Sequence, residues 1–185
     1  MHTRWIAATL GVSLLLGLTG CSATGAVTTG ARMGLNLARK DSYLKIWLDG
    51  QAAVQNTLKK AATGYSRFDI KEPVATAPKL KFEIQDPDRF GRITSVMVSI
   101  YRKFEAEYSH QADFTVVAAS ATDPQAQMKP NIEYDLGAPG PGFKVMDLTG
   151  KDAPGVKLLP GMEYMLTLTV KADKSETAQI YFKTK

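Results

Sequence analysis

The chain is short of nearly everything that covalent and metal chemistry requires. It holds one cysteine, Cys21, so no disulfide can close within it and no cysteine-based metal site can form. Its two histidines, His2 and His110, are too few for the clusters that hold zinc. There is no G-x-S-x-G elbow, and no serine sits in a recognisable triad context. The glycine-rich run from Gly137 to Gly142 has neither the lysine nor the following helix of a phosphate loop. Asp86-x-Asp88-x-x-Gly91 lacks the further oxygen ligands and the closing glutamate of a calcium loop. Glu105, Glu107 and Asp113 flank His110 in a polar loop and read as solvated acids, not as the spaced carboxylate pair of a glycosidase. No catalytic residue, metal site or cofactor is expected. The net charge of +5 comes from scattered basic residues with no basic-aromatic platform, which argues against nucleic acid as a partner.

What is present begins with an uneven N-terminus. His2 and Arg4 precede an uncharged apolar run from Trp5 to Leu16, and small residues Gly17, Thr19 and Gly20 lead to Cys21. That run is too short to span a bilayer and has the form of an export signal; no later run reaches membrane-spanning length. Leu18-Thr19-Gly20-Cys21 resembles the lipobox of bacterial lipoproteins. The resemblance implies that residues 1–20 are removed and that Cys21 becomes an acylated mature N-terminus carrying two or three chains, palmitate among them. One short acyl chain binds reversibly, whereas two or three hold firmly, at roughly 0.8 kcal/mol per buried CH₂. Ser22 stands where an Asp is associated with inner-membrane retention, so the resemblance implies the outer membrane, with the domain facing the periplasm.

The rest divides by pattern. Residues 21–41 are a tether: small and polar at first, with a Gly30-x-x-x-Gly34 spacing beside Arg32 and Asn36. Asp41-Ser42 reads as a helix cap, and Trp47, Val54, Leu58, Ala61 and Tyr65 recur at 3.6-type spacing, so a helix is expected from about 42 to 62. Gly50 costs that helix about 1 kcal/mol relative to Ala, and Gly64 stops it. Its apolar face is expected to pack on the following domain. Lys71 to Pro78 is expected to be a linker, because Pro73 and Pro78 break both helix and ladder.

From residue 79 onward, alternation of period two dominates. Strands are expected around Leu80–Ile84, Val96–Tyr101, Phe114–Ala119, Ile132–Leu136, Phe143–Leu148, Met165–Val170 and Ala178–Phe182. Turn residues separate them at Asp86-Pro87-Asp88, Asp123-Pro124, Gly137–Gly142, Pro160-Gly161 and Asp173-Lys174-Ser175. Many short strands at this spacing indicate a mainly β protein, an antiparallel β-sandwich over residues 79–185.

Leu159-Pro160-Gly161-Met162-Glu163-Tyr164 resembles the L-x-P-G-x-x-Y stretch of fibronectin type III domains, in the wider immunoglobulin-like group. The resemblance makes Tyr164 a corner tyrosine bonded back to the backbone, with Leu159 filling the core beneath it. The second strand has no tryptophan, and Tyr101 is the nearest aromatic substitute. Asp86-Pro87-Asp88-Arg89-Phe90-Gly91-Arg92, followed by Ile100-Tyr101 and Asp113-Phe114, is similar to the outer-membrane lipoprotein of the type VI secretion complex. That family is a β-sandwich holding an inner-membrane partner through its loops. The long N-terminal extension and the early end depart from its pattern.

The expectation is a non-enzymatic envelope lipoprotein that works by protein–protein contact, as an accessory or assembly subunit of a cell-envelope or secretion complex. The partner-binding residues expected are Arg89, Phe90 and Arg92, then Glu107, Tyr108 and His110, with Ala138–Gly142 as a third exposed loop. The alternative is a carbohydrate or small-ligand binding lipoprotein, for which Tyr108, Tyr134 and Phe143 are the available platform aromatics.

Overall fold

The computed structural model describes residues 41–57, 65–120, 122–123 and 126–185. The expected signal peptide, Cys21 and the tether lie outside the described residues. Among the described residues, no helix is long and apolar enough to cross a membrane.

The protein is mainly β. In chain order the elements are β1 (Leu44–Leu48), β2 (Gln51–Ala52), β3 (Val54–Gln55), β4 (Tyr65–Asp69) and β5 (Lys79–Ile84). A one-turn helix α1 (Pro87–Phe90) follows, then β6 (Ser95–Phe104), β7 (Glu107–Tyr108), β8 (Phe114–Ala118) and β9 (Glu133–Asp135). The last elements are β10 (Phe143–Asp147), β11 (Asp152–Ala153), β12 (Glu163–Lys171) and β13 (Glu176–Lys183). One sheet has the order β2-β1-β5-β9; the other runs β11-β10-β8-β6-β12-β13-β4-β3, with β7 paired to β6. Between them lie Leu44, Ile46, Leu48, Leu80 and Phe82 from the first sheet and Val98, Ile100, Leu166, Leu168 and Ile180 from the second, all at most 1% exposed. Each set alternates along its strand, which is how a pleated strand delivers one face to a core.

The strands expected from residue 79 onward all form. They divide between the two sheets of a sandwich: β5 and β9 join β1 in one, while β10, β8, β6, β12 and β13 lie in the other. β4 extends the second sheet by pairing in parallel with β13, Tyr65 opposite Thr177 and Asp69 opposite Tyr181.

Three expectations about the N-terminal part are corrected. Over 42–57 the chain is not helical. Asp49 and Gly50 both have positive φ, 50° and 73°, and close a two-residue turn in which Leu48 faces Gln51. Asp-Gly between alternating apolar residues is a strong hairpin signal, because a turn of this hand matches the strand twist. Residues 58–64 of the expected helix lie outside the described residues. Second, Lys71–Pro78 is not a free linker. Val74 is fully buried and bridges in parallel to Thr184, donating to the Lys183 carbonyl (2.9 Å) and accepting from Lys185 (2.8 Å). The Asp49 carboxylate accepts from the backbone N–H groups of Ala75 (2.5 Å) and Lys79 (2.7 Å), clasping both ends of that crossing. Third, the sandwich does not begin at residue 79: the compact unit runs from Asp41 to Lys185, and β1 to β4 belong to its two sheets.

The corner tyrosine is present, with one change of neighbour. The Tyr164 hydroxyl accepts from the Leu159 N–H at 3.0 Å, and its ring stacks on Phe182 at 5.9 Å. Leu159, expected in the core, is 49% exposed, and Leu158 is buried in its place. The reason is the Leu158 N–H, which bonds to the Thr76 carbonyl and turns that residue inward. Tyr101 does not replace a core tryptophan either. It follows the buried Ile100, so the pleat turns it to the outer face opposite Met165.

Two glycines mark different constraints. A Cβ on Gly50 meets nothing within 4 Å, so only its backbone conformation is at stake. A Cβ on Gly155 would overlap the Gly137 carbonyl, where the 155–158 crossing runs against the end of β9. Gly50→Ala is expected to cost about 1 kcal/mol, and Gly155→Ala about 3 kcal/mol. Urea denaturation of both variants checks this; equal losses would contradict the close approach at Gly155.

Candidate functional site

The expected partner residues lie at opposite ends of the sandwich. Arg89, Phe90 and Arg92 are at the end where the described chain enters. There Tyr43 packs on Phe90 with ring centroids 5.6 Å apart, and Lys174 donates to the Phe90 carbonyl. Phe90 is fully buried and cannot contact a partner. Asp86 caps α1 by accepting from Arg89 N–H at 3.2 Å, and the short helix drives Phe90 into the end of the core as a plug. Arg89 and Arg92 remain exposed. Arg92 lines a cleft of about 410 Å³ with Asp123 and Lys129.

Glu107, Tyr108 and His110 are at the other end, beyond the last pair of β6. β7 pairs only with the end of β6, Lys103 opposite Tyr108, and lies off the main path of the sheet. The hairpin curls across the outer face, and Tyr108 packs edge-on to Tyr181 of β13 at 5.4 Å and 71°. Beneath, the Arg67 guanidinium lies 3.7 Å from the centre of the Tyr181 ring and 3.2 Å from Asp69, which also accepts from Asn56 at 2.6 Å. Lys103 and Glu163 close the side of the hairpin with a 2.5 Å ion pair. Glu105 bends the chain with φ 50°. Glu107 and His110 are exposed at the tip, and Tyr108 is half-buried as its footing.

Three exposed apolar side chains lie at this same end, while Tyr65, Met97 and Ile132 are exposed elsewhere. Phe104 (52% exposed) follows the last core turn of β6, and Leu159 (49%) stands at the tyrosine corner facing the same strand ends. Leu148 (42%) lies beside Gln111, whose amide donates to its carbonyl at 3.0 Å. The Arg102 guanidinium covers one face of Phe104 at 4.5 Å and pairs with Asp113 at 3.3 Å. Burial raises the Asp113 carboxyl above its ordinary value, against the pull of Arg102. The sequence did not mark Phe104 or Leu148 as contact residues, and it placed Leu159 in the core. The only available signal for Phe104 was an aromatic placed just beyond the last expected strand residue.

Of the Ala138–Gly142 loop, Ala138, Pro139 and Gly140 line a cleft of about 420 Å³ on the lateral edge, with Phe143, Lys144 and Asp152. Tyr134 and Phe143 meet there edge to face at 77°. Neither this pair nor Tyr108–Tyr181 offers two coplanar ring faces of the kind a sugar platform uses. Among the described residues, no group of three His, Cys, Asp or Glu side chains converges to hold a metal ion.

The packing around Tyr108 has a titration consequence. Burial, reinforced by the neighbouring Glu163 carboxylate, pushes its hydroxyl up to about 12. The unfolded phenol ionises near the ordinary value of 10, so the folded state keeps its proton longer. This contribution to stability is complete below pH 10 and is lost as pH rises towards 12. Burial also raises the Tyr164 and Tyr181 hydroxyls, so tyrosinate absorbance should show a late-titrating fraction that shrinks by one phenol in Tyr108→Phe, and the variant should lose less stability between pH 10 and 12 than the parent.

The chain matches no family model, no curated protein and no solved structure.

Proposed function

We propose that the protein is a non-enzymatic lipoprotein, anchored through Cys21 in the outer membrane and facing the periplasm. It acts as an accessory or assembly subunit of an envelope or secretion complex. Its partner is a protein, held at the end of the sandwich that carries Phe104, Leu159 and the Glu107–His110 hairpin tip. The observation that carries this reading is the segregation of the two ends. The chain enters at Asp41, beside α1 and the start of β13, while Phe104, Leu159 and the braced hairpin sit beyond the last pairs of β6 and β12; Tyr65 and Met97, also exposed, lie along the strands nearer the entry. A membrane anchor upstream of Asp41 leaves that second end for a partner. Its composition suits protein contact: apolar residues with Arg102 among them and charged residues at the margin. The tip rests on a packed base of Tyr108, Tyr181 and Arg67, which lowers the ordering cost of binding. Arg89 and Arg92 lie at the entry end and are not assigned to the partner surface.

The test is crosslinking in the native envelope and recovery through a C-terminal tag, with mass analysis of the N-terminal peptide from the same sample. An acylated peptide starting at Cys21 and stoichiometric recovery of one envelope protein are expected. Phe104→Asp and Leu159→Asp should each reduce recovery about tenfold, equivalent to roughly 1.4 kcal/mol. Arg89→Ala should leave recovery unchanged. An unprocessed N-terminus would overturn the anchoring, and capture that depends on Arg89 instead would overturn the choice of end.

A further inference from the structure

The start of β1 is fastened to the start of β13 by one buried side chain. The Glu176 carboxylate, 6% exposed, accepts from the Ser42 hydroxyl (2.5 Å), the Tyr43 N–H (3.0 Å) and the Ser66 hydroxyl (2.6 Å). Ser42 Oγ in turn accepts from the Leu44 N–H at 3.0 Å. The first described residues of the unit are thus joined directly to the strand that ends it.

We infer that this arrangement is a tension latch: Glu176 passes load arriving at Asp41 straight into β13. The inference rests on the anchoring reading above for its biological purpose. Its geometry has two parts. From Glu176 the path to the opposite end runs along the covalent backbone of β13, so a pull between Asp41 and Lys185 reaches that strand through the latch, alongside the bonds of Ser42 and Tyr43 to Gln55 and Gln85. Behind the latch, every pairing of the N-terminal segment lies along the pull. Leu44 to Leu48 faces Ile84 to Leu80 across β5, and Tyr65 to Asp69 runs parallel to Thr177 to Tyr181. The parallel run continues through Ile70, which donates to the Tyr181 carbonyl, to Val74 at Thr184. A strand drawn along its axis strains all of its hydrogen bonds together, whereas one peeled from its end loses them singly. The latch is the first point to yield, and the β4–β13 pairing is the second.

The test is single-molecule stretching of the full-length, unacylated chain, with a DNA handle on the thiol of Cys21 (the chain's single cysteine) and a second handle at the C-terminus. The expected trace has two steps. The first releases residues 41–64, about 80 Å of extended chain; the second unfolds the remainder. Because each latch bond has a charged acceptor, Ser42→Ala should raise the rate of the first step about tenfold at constant force and leave the second unchanged. Glu176→Ala should raise it further. If that variant does not fold, Ser42→Ala decides the matter alone. A second arrangement moves the C-terminal handle to Lys174→Cys, so that both handles act at the entry end. β13 is then drawn from its start, and unfolding should occur at severalfold lower force. A single unfolding step, a first step indifferent to Ser42→Ala, or equal forces in the two pulling directions would each overturn the latch. None of these results depends on acylation. If Cys21 proves unmodified in the envelope, the anchoring reading falls while the mechanical property can still be found.

Discussion

The burial of the Glu176 carboxylate depends on three donors arriving from distant parts of the chain, and the architecture follows from meeting that demand. A carboxylate at 6% exposure is costly unless its oxygens are bonded. Ser42, Tyr43 and Ser66 supply those bonds, and each does so only if the chain before residue 79 belongs to the sandwich. Placing Ser42 at Glu176 starts β1 opposite Ile84. Placing Ser66 there starts β4 along β13 in parallel. A parallel pair cannot be made by a hairpin, so the chain must cross between the sheets. The hub at Asp49 and the buried Val74 hold that crossing in place.

The same dependence explains which parts of the fold were legible. From residue 79 onward the strands are long enough for alternation to repeat, and proline, glycine and aspartate mark their ends. Leu166, Leu168 and Val170 declare a buried face without reference to any other segment. Residues 42–57 hold a five-residue strand and two strands of two residues. Too few alternations occur there to outweigh an accidental 3.6-type spacing. Trp47, Val54 and Tyr65 supported the helical reading, yet none of the three is buried. The decisive local clue was Asp49-Gly50, which reads as a turn only if Leu44, Ile46 and Leu48 are taken as one strand face. The parallel β4–β13 pair had no local signature at all, since its partners are more than a hundred residues apart.

The candidate surface divides along the same line. The tyrosine corner was readable because its hydrogen bond spans five residues and its turn uses Pro160 and Gly161. Phe90 was misplaced because its burial is decided by Tyr43, on the far side of β5. Leu158 and Leu159 are chemically identical neighbours, and which faces inward is set by bonds to distant residues, Leu158 to Thr76 and Leu159 to Thr184. The Tyr108–Tyr181–Arg67 stack joins three segments with no common motif.

The two ends of the domain answer to different physical requirements. The entry end is closed: Phe90 plugs the core, and Gly91 lies so close to Asp173 that a Cβ would overlap that side chain. It leaves charged residues at its rim, with Arg89, Arg92 and Lys174 set among Asp88, Asp123 and Asp173, a surface that water solvates well. The opposite end is rigid but incompletely covered. Lys103–Glu163 and Arg102–Asp113 brace its strand ends, yet Phe104, Leu148 and Leu159 remain exposed. A scattering of apolar residues over a surface needs no explanation. Their placement at the strand ends around a braced hairpin is different, because bracing costs side-chain entropy that binding no longer has to supply. Stiffness under an exposed apolar group has little value to an isolated domain and direct value to one that must hold another protein.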